Sequence, residues 1–115
     1  MKFHACLIAL AVVICTNANA TKLLTPELNS CDSWINERTR RDTQVQQFWV
    51  LGFLSGINVE ASATAGAPDF LRSIDAGAVW ASIDTYCRAH PLDSVSRAAL
   101  AITTELIQRA KRTHR

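Results

Sequence analysis

The sequence predicts an all-α fold, a small bundle of about four helices with one disulfide. Three observations point there. Apolar residues recur at three- and four-residue steps in successive segments, each preceded by a side chain able to cap a helix. No segment alternates apolar and polar residues over a convincing length, and there is no hairpin dipeptide, internal repeat or low-complexity tract. Of the four cysteines, two fall in an N-terminal leader and two beyond it.

The leader begins with Met1-Lys2, continues through an apolar run from Ala5 to Cys15, and closes on Ala18-Asn19-Ala20. A short positive start, an apolar centre and a small-x-small end predict a secretory signal peptide over residues 1–20. It is too short to span a bilayer as a mature helix. Cleavage after Ala20 removes Cys6 and Cys15 and leaves Cys31 and Cys87. A lone pair in an oxidising compartment predicts one disulfide and a periplasmic or secreted location. The alternative is lipidation at Cys15, but a lipobox wants a small residue just before the cysteine, and Ile14 stands there. No other apolar run reaches membrane-spanning length, so no membrane contact is expected after cleavage.

Residues 21–29 form a polar, irregular lead-in containing Pro26. Ser30 is a cap for a first helix through Cys31, Trp34, Ile35 and Arg38. A bend at Arg41-Asp42-Thr43 precedes a second helix, capped by Thr43 and running to about Glu60. Val45, Phe48, Trp49, Gly52, Phe53, Gly56 and Ile57 give it helix period. Each glycine weakens a helix by roughly 1 kcal/mol relative to alanine, so a packing reason is expected. Their i, i+4 spacing predicts a groove in which another backbone lies close. Residues 61–69 read as a fraying end and a loop, followed by a single turn from Asp69 through Phe70 and Leu71.

Asp75 caps a third helix, Ala76 to Arg88, whose buried stripe is Val79, Trp80, Ile83, Tyr86 and Cys87. It ends at His90-Pro91, because the residue before proline is pushed out of helical geometry. Asp93 or Ser94 opens a last helix to about Lys111, with Val95, Ala98, Ala99, Ile102, Leu106 and Ala110 on its apolar face. The expected organisation is one helical domain over residues 30–111 and a mobile tail over 112–115.

One domain of this size has a marginal core, so a cross-link matters. Joining Cys31 to Cys87 closes a loop of roughly 57 residues, worth about 4 kcal/mol in the chain-entropy model. Without Lys2 the chain carries 11 basic and 10 acidic side chains, a formal charge of +1. That balance draws it neither to nucleic acid nor to anionic lipid. The clusters Arg38-Arg40-Arg41 and Lys111-Arg112-Arg115 sit where helix ends are expected, as cations near a C-terminus should. No aromatic interleaving or binding fingerprint argues for a nucleic-acid patch.

Catalytic constellations are mostly missing from the sequence. Gly52-Phe53-Leu54-Ser55-Gly56 has its serine one place too late for a nucleophile elbow and lies in a helix. His114 is next to the C-terminus, and His90 at a helix end reads as a solvated or capping residue. Cys87-x-x-His90 has metal spacing, but Cys31 would have to be a third ligand and nothing evident supplies a fourth. There is no Cys-x-x-Cys for redox exchange. The acids Asp32, Glu37, Asp42, Glu60, Asp69, Asp75, Asp84, Asp93 and Glu105 are spread singly, with Asp84 and Arg88 expected as an exposed i, i+4 pair. No enzyme activity, cofactor or metal is expected. Trp34, Trp49 and Trp80 each fall on an apolar stripe, as core residues or as an aromatic cluster that binds a partner. Asn58 could join a buried polar contact or face solvent.

The order of these features resembles a known group. A cysteine opens the first helix in Ser30-Cys31-Asp32-Ser33-Trp34, and an aromatic-glycine helix follows in Phe48-Trp49-Val50-Leu51-Gly52-Phe53-Leu54-Ser55-Gly56. A second cysteine ends a later helix in Ile83-Asp84-Thr85-Tyr86-Cys87-Arg88-Ala89-His90-Pro91-Leu92, and an alanine-rich helix closes the chain. This is similar to the HdeA-like superfamily of small helical periplasmic proteins, over roughly residues 30–107. That group includes acid-stress chaperones of the HdeA/HdeB type. Tai-type immunity proteins, which neutralise peptidoglycan amidases delivered by type VI secretion, look broadly similar. The immunity proteins usually carry additional cysteines, and the acid chaperones are richer in Lys and Asp and poorer in Trp.

The resemblance implies an exported, non-enzymatic protein-binding domain, a stress chaperone for unfolded clients. The alternative is an immunity or inhibitor protein for one specific effector. A second copy of the chain is a further candidate partner. Protonating all ten carboxylates and both remaining histidines would raise the formal charge from +1 to +13, and that self-repulsion would loosen a compact state.

Overall fold

The computed structural model describes residues 30–41 and 43–114. Within them the chain forms four helices: α1 (Cys31–Arg40), α2 (Gln44–Ala65), α3 (Ala76–Ala89) and α4 (Val95–Thr113). The expected leader and lead-in, Asp42 and Arg115 lie outside the described residues.

Three of the helices start as the cap residues dictate. Ser30 Oγ accepts from Ser33 N–H at 3.0 Å, Asp75 Oδ1 from Ala78 N–H at 2.7 Å, and Ser94 Oγ from Arg97 N–H at 3.2 Å. Thr43 differs. It precedes α2 without a side-chain capping bond and is buried instead. Between Asp93 and Ser94, the serine caps α4, while Asp93 takes another part described below.

The helix ends depart most from expectation. α2 runs through Ala65, past Glu60, because alanine and small residues extend a helix until Gly66 turns it off. Gly66 adopts φ +59°, and the N–H groups of Gly66 and Ala67 both turn back to the Ala61 carbonyl. That left-handed stop suits glycine. α1 ends in the same way at Arg41, φ +61°, the one non-glycine residue with positive φ among those described. α4 reaches Thr113, so Arg112 and Thr113 belong to the helix and not to the tail.

α1 and α3 run antiparallel, and the Cys31–Cys87 disulfide joins the start of one to the end of the other across a Cα separation of 4.7 Å. The N-termini of α1 and α4 meet beside it. Cys31 N–H donates to the Asp93 carbonyl at 2.8 Å, and Ser30 and Ser94 form an isolated bridge. The core gathers Trp34 from α1, Val50 and Leu54 from α2, Val79 and Ile83 from α3, and Val95, Ala98, Ala99, Ile102 and Leu106 from α4. Ala98 and Ala99 are fully buried, which lets the other helices approach the α4 backbone. Phe70 closes one end from the α2–α3 loop. Asn58 anchors that loop: its Nδ2 donates to Asp69 Oδ1 at 2.8 Å, and its Oδ1 accepts from Phe70 N–H at 3.0 Å.

The expected glycine groove is not formed among the described residues. Gly52 and Gly56 are exposed, and a Cβ built on either would meet nothing within 4 Å. α2 buries the opposite side, where Gln46, Val50 and Leu54 face the core. A helix apolar all round carries no phase signal to tell its two sides apart, and the helices packed against it decide which is covered.

Candidate functional site

Two features stand out from the packed core. The first is a set of carboxylates that tie the elements together. Asp84, on the inner side of α3, is buried. Its Oδ1 accepts from the Trp34 indole Nε1 at 2.7 Å and from Arg38 Nε at 3.2 Å, and its Oδ2 accepts from Arg38 Nη2 at 3.1 Å. One carboxylate thus holds a fully buried indole and a forked guanidinium from the same face of α1, the two donors being i and i+4. Arg38 also lies over the Trp34 ring at 5.9 Å, and Trp80 approaches that ring from α3 at 6.2 Å. The expected exposed Asp84–Arg88 pair is not what forms. Asp84 turns to α1, because a buried carboxylate requires donors and Trp34 and Arg38 supply three.

Glu37 plays the corresponding part between α1 and α2. Its Oε2 accepts from Gln46 Nε2 at 2.9 Å, and its Oε1 accepts from Ser33 Oγ at 3.2 Å. Gln46 Oε1 is buried and has no hydrogen-bond partner among the described residues. At the far end of α3, the Tyr86 hydroxyl donates to Asp93 Oδ2 at 2.7 Å, and the tyrosine ring packs on His90 at 4.5 Å. That hydrogen bond, helped by burial and by the negative charge of Asp93, raises the Tyr86 pKa, while Arg97 acts weakly in the other direction.

The second feature is the outer face of α2. Val45 and Phe48 are each 70% exposed and Val59 is 67% exposed, on the same side as Gly52, Ser55 and Gly56. Trp49 and Phe53 stack at its border with ring centroids 5.2 Å apart, half-buried against the core. Val45 and Phe48, part of the run that gives α2 its helix period, face solvent. Of the three tryptophans, Trp34 is core, and Trp49 and Trp80 are half-buried against it.

The remaining hollows are shallow. Ile35, Arg38, Thr39, Arg41, Asp84 and Arg88 line an open one of about 390 Å³ between α1 and α3. A smaller one, about 180 Å³, has Phe70, Ile74, Leu106 and Ala110 for its floor and Arg72, Arg109 and His114 at its rim. The described residues contain no group of three or more His, Cys, Asp or Glu able to hold a metal. Cys87 Sγ is bonded to Cys31, which takes it out of any ligand set with His90.

Compared with known proteins, the chain matches no protein-family model, no curated protein and no solved structure. The resemblance to the HdeA-like group therefore rests on residue order alone. Glu37, Gln46 and Asp84 are the residues that sequence reasoning missed as a group. The available signal was the i, i+4 pair Trp34 and Arg38, two donors on one helix face that need a common acceptor.

Proposed function

We propose that the chain is an exported protein-binding domain that works as an acid-stress chaperone of the HdeA-like kind. The observation that carries this is where its cross-ties end. Trp34 and Arg38 to Asp84, Gln46 to Glu37, Asn58 to Asp69 and Tyr86 to Asp93 join different elements side chain to side chain, and each of these side-chain ties ends on a carboxylate. Carboxylates take up protons between about pH 5 and pH 2. In acid the chain gains positive charge, and hydrogen bonds that depend on a charged acceptor are the kind acid weakens. The helices come apart at their seams, and the apolar surfaces of Trp34, Leu54 and Ile83 become available to unfolded clients. The disulfide survives acid and limits the expansion, keeping α1 beside α3.

The test is protection of a client. The oxidised chain, brought to acid with an acid-unfolded protein, should keep it from scattering light, and the same chain at neutral pH should not. Tryptophan emission and dye binding should report loss of fixed packing over the same pH range, with much of the helix signal retained. Loss of packing without client protection would rule the chaperone role out, since many small domains unfold in acid.

A second function is favoured by the hollow between α1 and α3. Three guanidinium groups, Arg38 on α1, Arg41 at its C-terminal cap and Arg88 on α3, line it together with the Asp84 carboxylate, and the disulfide ties α1 to α3. A rigid basic face suits a folded partner with acidic side chains, as an immunity or inhibitor protein of the Tai type would require. Binding to one folded protein at neutral pH, weakened by salt and by Arg88→Glu, would support that function over the chaperone.

A further inference from the structure

We propose that the hollow between α1 and α3 is a binding site for a phosphomonoester, held by Arg41 and Arg88. Ile35, Arg38, Thr39, Arg41, Asp84 and Arg88 line this one hollow of about 390 Å³. Three guanidinium groups and one carboxylate leave its lining a formal charge of +2. Arg38 is committed to Asp84 through Nε and Nη2. The side chains of Arg41 and Arg88 have no hydrogen bond or ion pair among the described residues. Two like charges on one hollow, one from each side of it, are what an anion would join.

The backbone at Arg41 supports this from another direction. α1 and α2 end alike, in the left-handed region, with φ 61° and ψ 32° at Arg41 and φ 59° and ψ 27° at Gly66. Glycine adopts that conformation freely, and a residue with a Cβ does not. α2 carries the residue that the geometry prefers, whereas α1 carries an arginine. The cap itself needs no side chain there. It is made by the Arg41 backbone N–H, which turns back to the Glu37 and Arg38 carbonyls, and a glycine would make it as well. Arg41 is exposed, so its side chain fills no core space. What the side chain adds is a charge on the hollow.

The chemistry of the lining selects the ligand. A carboxylate brings one charge and two coplanar oxygens, and Asp84 already takes that part beside Arg38. A phosphomonoester brings nearly two charges at neutral pH and three acceptor oxygens that point apart. It can offset the whole charge of the lining and accept from guanidinium groups on both sides of the hollow. All three cations here are arginine, as are nine of the twelve basic side chains in the chain. Arginine presents a fork that meets phosphate oxygens in pairs, where lysine offers a point charge. The hollow is roomier than one phosphate, and Ile35 gives it an apolar wall, so the organic group of the ester has a place. This site rests on neither function proposed above, and its ligand would compete with the acidic protein partner for the same hollow.

Calorimetric titration tests it, on the oxidised full chain carrying Cys6→Ser and Cys15→Ser, at neutral pH and low salt. Phenyl phosphate should bind at one site with a dissociation constant on the order of 100 μM. Benzoate and methyl phenyl phosphate, with a single charge each, should bind about tenfold more weakly or worse. Arg41→Gly should weaken phenyl phosphate by about tenfold or more and leave the melting temperature unchanged or higher. Arg88→Gln, across the hollow, should weaken it to a similar degree. Phosphatidylcholine vesicles containing phosphatidic acid separate two sources of the ester. If they pellet the parent chain beyond phosphatidylcholine alone, and Arg41→Gly abolishes the excess, the ester is a lipid headgroup; without that excess, it is a soluble molecule. Absence of phenyl phosphate binding at millimolar concentrations overturns the proposal, and so does binding that Arg41→Gly leaves intact. A lower melting temperature for Arg41→Gly overturns it by showing that the arginine is there for stability. Tighter binding of an oligoglutamate peptide than of phenyl phosphate overturns it too, and leaves the hollow to the acidic partner.

Discussion

The seam between α1 and α3 and the outer face of α2 are built on opposite principles. α1 is a polar ten-residue helix with two buried residues, Cys31 and Trp34, yet it is tied by a disulfide, an indole hydrogen bond and a forked guanidinium. α2 is twice as long and far more apolar, yet it leaves a phenylalanine and two valines in solvent. The difference teaches that composition ranks helices by how much they can bury, while geometry decides how much they do. α1 has few apolar groups, and its Cys31, Trp34 and Arg38 all tie it to α3. α2 has apolar groups on every side, and the other helices among the described residues cover only one of them.

That contrast can be broken or sharpened by measurement. The largest effect should come from the seam's covalent tie. Replacing Cys31 and Cys87 with Ala, or reducing the disulfide, should lower unfolding free energy by about 3–5 kcal/mol, given a sequence separation of 56 residues. Urea denaturation of oxidised and reduced protein measures it. A loss under 1 kcal/mol would mean that the noncovalent ties alone hold α1 in place.

Next comes the carboxylate at the seam. Asp84→Ala removes the acceptor of a fully buried indole N–H and of Arg38, and it should cost about 2–3 kcal/mol. Trp34→Phe in the same background should cost less than it does in the parent chain, because the N–H it deletes is already unpaired. A double-mutant cycle reads that coupling, and strict additivity would show that the Trp34–Asp84 bond carries no net stability.

On α2 the sign should reverse. Gly56→Ala adds a methyl group where nothing lies within 4 Å and improves helix propensity, so it should stabilise the fold by about 0.5–1 kcal/mol. Thermal unfolding tests this. A large destabilisation would mean that a neighbour within the chain occupies the groove after all.

The smallest effect concerns alkaline pH. Tyr86 is the only tyrosine in the chain, so phenolate absorbance follows it directly. Its folded pKa is raised above the ordinary value of 10.0, first by the bond to Asp93 and then by burial and the Asp93 charge. The neutral phenol is the form that folding favours. Its contribution to stability is therefore present below about pH 10 and is lost as pH rises through the folded value. Tyr86→Phe should flatten that alkaline limb, and Asp93→Asn should bring the phenol back toward its ordinary value. A tyrosine that titrates at its ordinary value in the parent chain would remove the Tyr86–Asp93 tie.

Much of the fold could be read from particular residues. Ser30, Asp75 and Ser94 are side chains that compete for backbone N–H groups, and each starts a helix for that local reason. Pro91 disfavours helix at His90, and α3 ends at Ala89. Cys31 and Cys87 were paired because no other cysteine lies beyond residue 20, where the leader was expected to end. The site was less legible. Asp84 looked like a surface acid beside Arg88, since i, i+4 spacing is local and a partner 46 residues away on another helix leaves no mark in the spacing. Gly52 and Gly56 looked like a contact because glycine in a helix usually needs a reason.

The sequence by itself determined the helices, the caps Ser30, Asp75 and Ser94, the all-α class and the cysteine pair, because each depends on groups within a few residues or on simple elimination. Only the tertiary structure decided which side of α2 is covered, which donors Asp84 serves, and that Phe48 faces water beside two bare glycines. Those outcomes depend on how four helices share a small core, and no short stretch of the chain contains the information.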